Sequence, residues 1–109
     1  MAREFDQDII DICKECRDRC AEWLEVNNIQ TSEQVKDDCS RLILECYDIC
    51  AYTVITLERE TPFSKEICQL CELICEACGN ECNTGKDSSI NSVAEICYET
   101  AERCRQRLY

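Results

Sequence analysis

The chain has 109 residues, enough for one domain with a modest core and too few for two. Twelve Lys and Arg against twenty-three Asp and Glu give a net charge of -11 at pH 7. That balance repels nucleic acid and anionic lipid surfaces and argues against either as a partner.

The N-terminal stretch MAREFDQDIID carries charges where an export signal would need an apolar run, and no later apolar stretch is long enough to span a bilayer. A soluble cytoplasmic protein forming a single unit over residues 1–109 is expected. The first helix runs from about Phe5 to Val26, with Cys13, Cys16 and Cys20 on the same stripe as Ile9, Ile12 and Leu24. Asn27 and Asn28 supply a turn, and Thr31, Ser32 and Gln34 read as a capping box opening a second helix from about Ser32 to Leu57. That helix carries Cys39, Cys46 and Cys50 together with Val35, Ile43 and Val54. Thr61 followed by Pro62 reads as an N-cap and first helical position for a third helix ending near Cys82. Its stripe is Cys68, Cys71, Cys75, Cys78 and Cys82, flanked by Ile67 and Ile74. Residues Asn83, Thr84, Gly85, Lys86 and Asp87 make the third loop, after which Ser88, Ser89 and Ser92, the last with Glu95 three residues on, compete to cap a fourth helix. This one carries Cys97 and Cys104 with Ile90, Val93, Ala94, Ala101 and Leu108 and ends near the C-terminus. Short connections between four such helices predict an all-α, antiparallel up-down-up-down four-helix bundle with a cysteine-lined core.

Thirteen cysteines in a chain this short mark either a disulfide-stapled scaffold or a thiolate metal protein. Two Gly, one Pro and an odd number of cysteines argue against the first. Nearly every gap within a cysteine group is three, four or seven, the steps that return to one helix face. Counting residues from the loops at about 1.5 Å each places Cys20, Cys39, Cys78 and Cys82 toward the end holding the first and third loops. Cys13, Cys16, Cys46, Cys71, Cys75 and Cys97 fall near the middle, and Cys50, Cys68 and Cys104 nearer the termini. The pairs Cys16/Cys20, Cys46/Cys50, Cys71/Cys75 and Cys78/Cys82 have the spacing that brings Cβ atoms to about 5–6 Å on a helix. Two metal–sulfur bonds of about 2.3 Å span such a pair, which suits the two-coordination that Cu(I) accepts. One monovalent ion replacing one thiol proton leaves the interior charge unchanged, so many Cu(I) ions can share a buried column. Leu and Ala would pack an ordinary bundle better, so thirteen thiols point to chemistry rather than filling.

With the groups laid out, C-x-x-C-x-x-x-C from Cys13 to Cys20 and C-x-x-C-x-x-x-C-x-x-C-x-x-x-C from Cys68 to Cys82, the whole chain resembles the bacterial copper storage proteins. The resemblance implies a four-helix bundle, often tetrameric, holding many Cu(I) ions on its core cysteines, and of the cytosolic rather than the exported kind. All thirteen cysteines are then candidate ligands, about one ion each. Copper ions, a copper chaperone or low-molecular-weight thiol as donor, and a second copy of the chain are the partners expected. Members of that family usually have histidines, and in some cases methionines, where copper enters, whereas this chain has no His and its only Met is Met1. Cys82 with Asn80, Glu81 and Asn83 is the candidate mouth. The alternative is a zinc- or cadmium-buffering or metal-sensing thiolate protein. A thiol oxidoreductase would place its C-x-x-C at a helix N-terminus in a βαβ setting, and a ferredoxin-type cluster would have a Pro after its last cysteine. Acid–base catalysis finds no histidine, so no enzymatic role is expected. Trp23, Tyr47, Tyr52, Tyr98 and Tyr109 are read as packing or subunit-contact residues.

Overall fold

A computed structural model describes residues 4–84 and 87–108. Four long helices, α1 (Glu4–Val26), α2 (Asp38–Arg59), α3 (Ser64–Cys82) and α4 (Ser88–Leu108), are joined by short connections, the first containing a 3-10 turn at Ser32–Gln34. Each helix packs against its neighbour in sequence and α4 returns to α1, closing a square bundle of 38 × 25 × 18 Å. The expected four-helix architecture is present, and no described helix is long and apolar enough to cross a membrane.

The ends of the helices explain where the sequence reading shifts. After α1, Asn28 adopts a left-handed conformation (φ 60°), the N–H of Ile29 bonds Leu24 O at 2.9 Å and that of Asn28 bonds Glu25 O at 3.0 Å. These paired bonds satisfy carbonyls that a helix terminus would otherwise leave bare. The Thr31–Gln34 capping box does form, with Gln34 Oε1 accepting from the N–H groups of Thr31 and Gln30, but it closes only the 3-10 turn. Val35 follows in extended conformation (ψ 125°), half-buried and outside any helix. The working cap is Asp37, whose carboxylate accepts from Ser40 N–H at 2.7 Å, so α2 starts six residues later than expected.

The third helix also starts late. Thr61 is taken up by the end of α2: its N–H bonds Thr56 O and its hydroxyl pairs with that of Thr56. Pro62 and Phe63 therefore sit in the turn and α3 begins at Ser64. For α4 none of the three serines is the cap. Asp87 does that work, accepting from Ile90 N–H at 2.8 Å and from Ser89 Oγ at 2.7 Å, and these bonds lower its pKa, the Ser89 hydroxyl foremost. Gly85, Lys86, Met1 and Tyr109 lie outside the described residues.

The core is built as the stripes require, with Ile9, Ile12, Leu24, Ile43, Val54, Ile90, Val93, Ala94 and Ala101 buried and Ile67, Ile74 and Leu108 half-buried. Ile10, Ile49, Leu57 and Ile96 join it. Thr53 and Thr100 are fully buried because each hydroxyl donates to the carbonyl four residues back, Ile49 O and Ile96 O, at 2.7 Å. Trp23 and Tyr47 are half-buried against the core, whereas Tyr52 is exposed and Tyr98 lies at the surface with its hydroxyl donating to Asn80 Oδ1.

Candidate metal centre

Helices α1, α2, α3 and α4 each turn their cysteine stripe to the bundle axis. Twelve of the thirteen cysteines are completely buried and Cys39 is half-buried; all thirteen are free thiols. None of the thirteen is joined to another in a disulfide.

Eight of the sulfurs, those of Cys13, Cys16, Cys20, Cys46, Cys50, Cys71, Cys75 and Cys97, make a connected column. At its centre Cys46 Sγ lies 3.7 Å from Cys16, 3.6 Å from Cys75 and 3.7 Å from Cys97. Cys16 also reaches Cys97 at 4.0 Å, and Cys75 reaches Cys50 at 3.8 Å and Cys71 at 3.9 Å. Cys71 continues to Cys13 at 4.0 Å. Three sets have all their sulfurs within 4.8 Å of one another: Cys16, Cys46, Cys50 and Cys75; Cys16, Cys20, Cys46 and Cys97; and Cys13, Cys50 and Cys71. The four C-x-x-x-C pairs thus bring their sulfurs together as spacing requires, Cys78 and Cys82 at 4.0 Å.

Two axial assignments change. Cys50 belongs to the middle of the column, not to the end with Cys68 and Cys104. α2 runs on to Arg59 while α3 begins only at Ser64, so Cys50 lies several residues deeper than Cys68. Cys20 also meets the central sulfurs Cys16, Cys46 and Cys97 rather than only the loop end.

Protons in this column are unevenly held. Sulfhydryl donors around Cys16 (Cys20 first), around Cys71 (Cys104 first) and around Cys78 (Cys46 first) lower the pKa of each. Their neighbours move the opposite way: Cys46 and Cys97 are raised, chiefly by their contact with Cys16, and Cys104 by its contact with Cys13. Cys68 is pushed up to about 12 by burial, against the pull of the Arg107 guanidinium.

The two ends of the column differ. At the end holding the termini, Arg107 Nε of α4 donates to Asp6 Oδ1 of α1 at 2.6 Å, with both side chains largely buried. The opposite end is open. There Cys39 Sγ lies 3.1 Å from Cys82 Sγ, beside a cleft of about 460 Å³ lined by Trp23, Asp37, Asp38, Cys39, Glu81, Thr84, Asp87 and Ile90. Of the residues expected at the mouth, Cys82 is itself fully buried, and the half-buried Cys39 is its sulfur partner. Glu81 is on the rim, Asn80 is bonded to Tyr98, and Asn83 is exposed at the end of α3 without lining the cleft. Cys39 was legible as a ligand candidate. Its position at the surface was not, because it depended on α2 starting at Asp38.

Fold and sulfurs together define a class: four-helix bundles whose interior is a thiol column instead of a hydrocarbon core. The model of the family described as copper storage protein matches residues 2–109, and the chain belongs to that family. It is 35% identical over 102 residues to the cysteine-rich protein YhjQ of Bacillus subtilis, covering 94% of each. It is also similar to the solved Cu(I)-bound copper storage protein BsCsp3 (34% identity, TM-score 0.86, 97% of this chain and 100% of that one). A cytosolic copper storage protein from Streptomyces lividans, solved with five coppers, is similar at 26% identity and TM-score 0.84, over 97% of this chain and 93% of that one.

Proposed function

We propose that this chain stores and buffers Cu(I), holding about one ion per cysteine on Cys13, Cys16, Cys20, Cys39, Cys46, Cys50, Cys68, Cys71, Cys75, Cys78, Cys82, Cys97 and Cys104, with sulfurs bridging neighbouring ions. The observation that carries the reading is the sharing of sulfurs between sets. Both four-sulfur sets contain Cys16 and Cys46, so they cannot serve as two independent closed tetrahedra of the kind structural zinc prefers. A shared thiolate suits a chain of monovalent ions. Each ion replaces a proton, so the interior gains no charge however many ions enter.

In this reading the residues act as one bundle unit with a storage role and no catalytic one. Copper arrives in the cytoplasm from a chaperone or a small thiol, is drawn to the acidic rim, and passes through Cys39 and Cys82 to the column. The exposed apolar side chains Tyr52 and Ile55 on α2 and Leu70 and Leu73 on α3 support self-association into a homo-oligomer such as a tetramer. Anaerobic titration against a Cu(I) chelator tests the storage role, with uptake approaching one ion per cysteine expected. Saturation by about three or four zinc ions together with weak copper uptake would instead establish the zinc-buffering reading.

A further inference from the structure

The sulfur pair at the open end differs from every other pair in the column in two respects. Its 3.1 Å separation is the shortest sulfur–sulfur contact among the described residues, where the others run from 3.6 to 4.0 Å. It also contains Cys39, the single cysteine that is not fully buried. The two belong to opposite elements, Cys39 to the first turn of α2 and Cys82 to the last turn of α3. A disulfide bond of about 2.05 Å needs their sulfurs to approach by only about 1 Å, within the reach of side-chain torsions. We propose that Cys39 and Cys82 form a peroxide-oxidisable disulfide site that shuts the copper mouth; the consequence for copper rests on the storage reading above.

The rim selects the class of oxidant. Asp37, Asp38, Glu81 and Asp87 line the cleft with Cys39, so an anionic disulfide such as oxidised glutathione is repelled while a small neutral hydroperoxide is not. The Cys39 sulfur attacks one peroxide oxygen, the O–O bond breaks, and Cys39 becomes a sulfenic acid as the other oxygen leaves and is protonated to water. The Cys82 sulfur then attacks the Cys39 sulfur, the S–O bond breaks, and a second water departs. Two thiols lose two electrons and two protons, and one hydrogen peroxide becomes two waters. The bond ties α2 to α3 across the mouth and removes the first two sulfurs an arriving ion would meet. A thiol reductant reverses it.

The test uses the full-length, reduced, metal-free protein treated with one equivalent of hydrogen peroxide, then alkylated and peptide-mapped without reduction. The expected result is a Cys39–Cys82 link as the first product, with Cu(I) uptake from a chelate slowed about tenfold and restored by dithiothreitol. In Cys82→Ser the same dose should leave a sulfenic acid on Cys39 that dimedone traps, and in Cys39→Ser the loss of thiols should slow about tenfold. Circular dichroism checks that both variants keep their helices. A first link inside the column, such as Cys46–Cys75, a link between chains, or unchanged loading by the cross-linked protein would overturn the proposal. Failure of the reduced protein to load copper would sink the storage reading instead, and the mapping, which uses no copper, still decides the link.

Discussion

Replacing Cys46 by Ala separates a connected sulfur column from a set of independent pairs. Cys46 lies within 3.7 Å of three other sulfurs and belongs to two of the three close sets. If each C-x-x-x-C pair held its ion alone, the variant would lose only the ion of the Cys46/Cys50 pair. In a bridged column the lost sulfur is a shared ligand, so capacity should fall by about two ions. Cys68→Ala is the comparison. Cys68 is just as buried but lies in none of the close sets, so its loss should cost about one ion or fewer. The stability penalty in the metal-free protein should be alike for both, about 1 kcal/mol for an atom-sized cavity. With an unfolding entropy of about 2.1 cal/mol/K per residue over 109 residues, that is a fall of about 4 °C in Tm. Anaerobic Cu(I) titration against a competing chelator reads the capacity, and thermal circular dichroism reads the stability. Equal capacity losses for the two variants at equal stability would refute the bridged column.

Asp37→Ala removes the N-cap of α2 and should cost about 1 kcal/mol, whereas Thr31→Ala, at the cap the sequence favoured, should cost less because it closes only a 3-10 turn; chemical denaturation of both compares them. Gly79→Ala should fail to deliver the usual gain of about 1 kcal/mol for replacing a helical glycine, because its Cβ would stand 2.9 Å from Tyr98 Cε1. In a Tyr98→Ala background that gain should appear, and its absence there would show that something other than the ring constrains the site. The raised pKa of Cys68 makes the metal-free protein sensitive to alkali. Above the ordinary value of 9.0 an unfolded thiol has lost a proton that the folded protein keeps until about 12, so this contribution is complete below 9 and drains away as pH rises through that window. Denaturant midpoints of the metal-free protein should therefore fall as pH rises from about 9 toward about 12, while the copper-loaded protein, already deprotonated at its ligands, should lack this loss.

Periodicity carried the architecture because a helix face returns every three or four residues, and cysteine together with Ile, Leu, Val and Ala occupied that face. Helix starts were harder to read, since several good capping residues stood within two turns of each other. Thr31 with Gln34 and Asp37 with Ser40 are both sound N-terminal signals, and both form; the first closes a short turn and only the second begins α2. Axial levels inherited those errors, which is why Cys50 was set too near the termini. Buried Thr53 and Thr100 stand on the stripes but look polar until their hydroxyls are seen to bond the preceding turn. The Asp6–Arg107 pair joins residues 101 apart in sequence, and no local pattern announces such a contact.

That pair and the acidic rim give the column a direction. Among the described residues no buried side-chain nitrogen or oxygen lacks a hydrogen-bond partner, so the interior offers an ion little but sulfur. A cation approaching a chain of net charge -11 meets carboxylates at the cleft around Cys39. At the far end it meets the Arg107 guanidinium, held in place by Asp6 and close enough to bear on the Cys68 thiol. Carboxylates thus concentrate cations at the cleft, where the Cys39, Cys82 and Cys78 sulfurs follow one another at 3.1 and 4.0 Å, whereas at the far end the Arg107 charge is matched by Asp6. Histidine is not required for such a mouth, because a half-exposed thiol over an acidic rim already combines attraction at a distance with a soft ligand at contact.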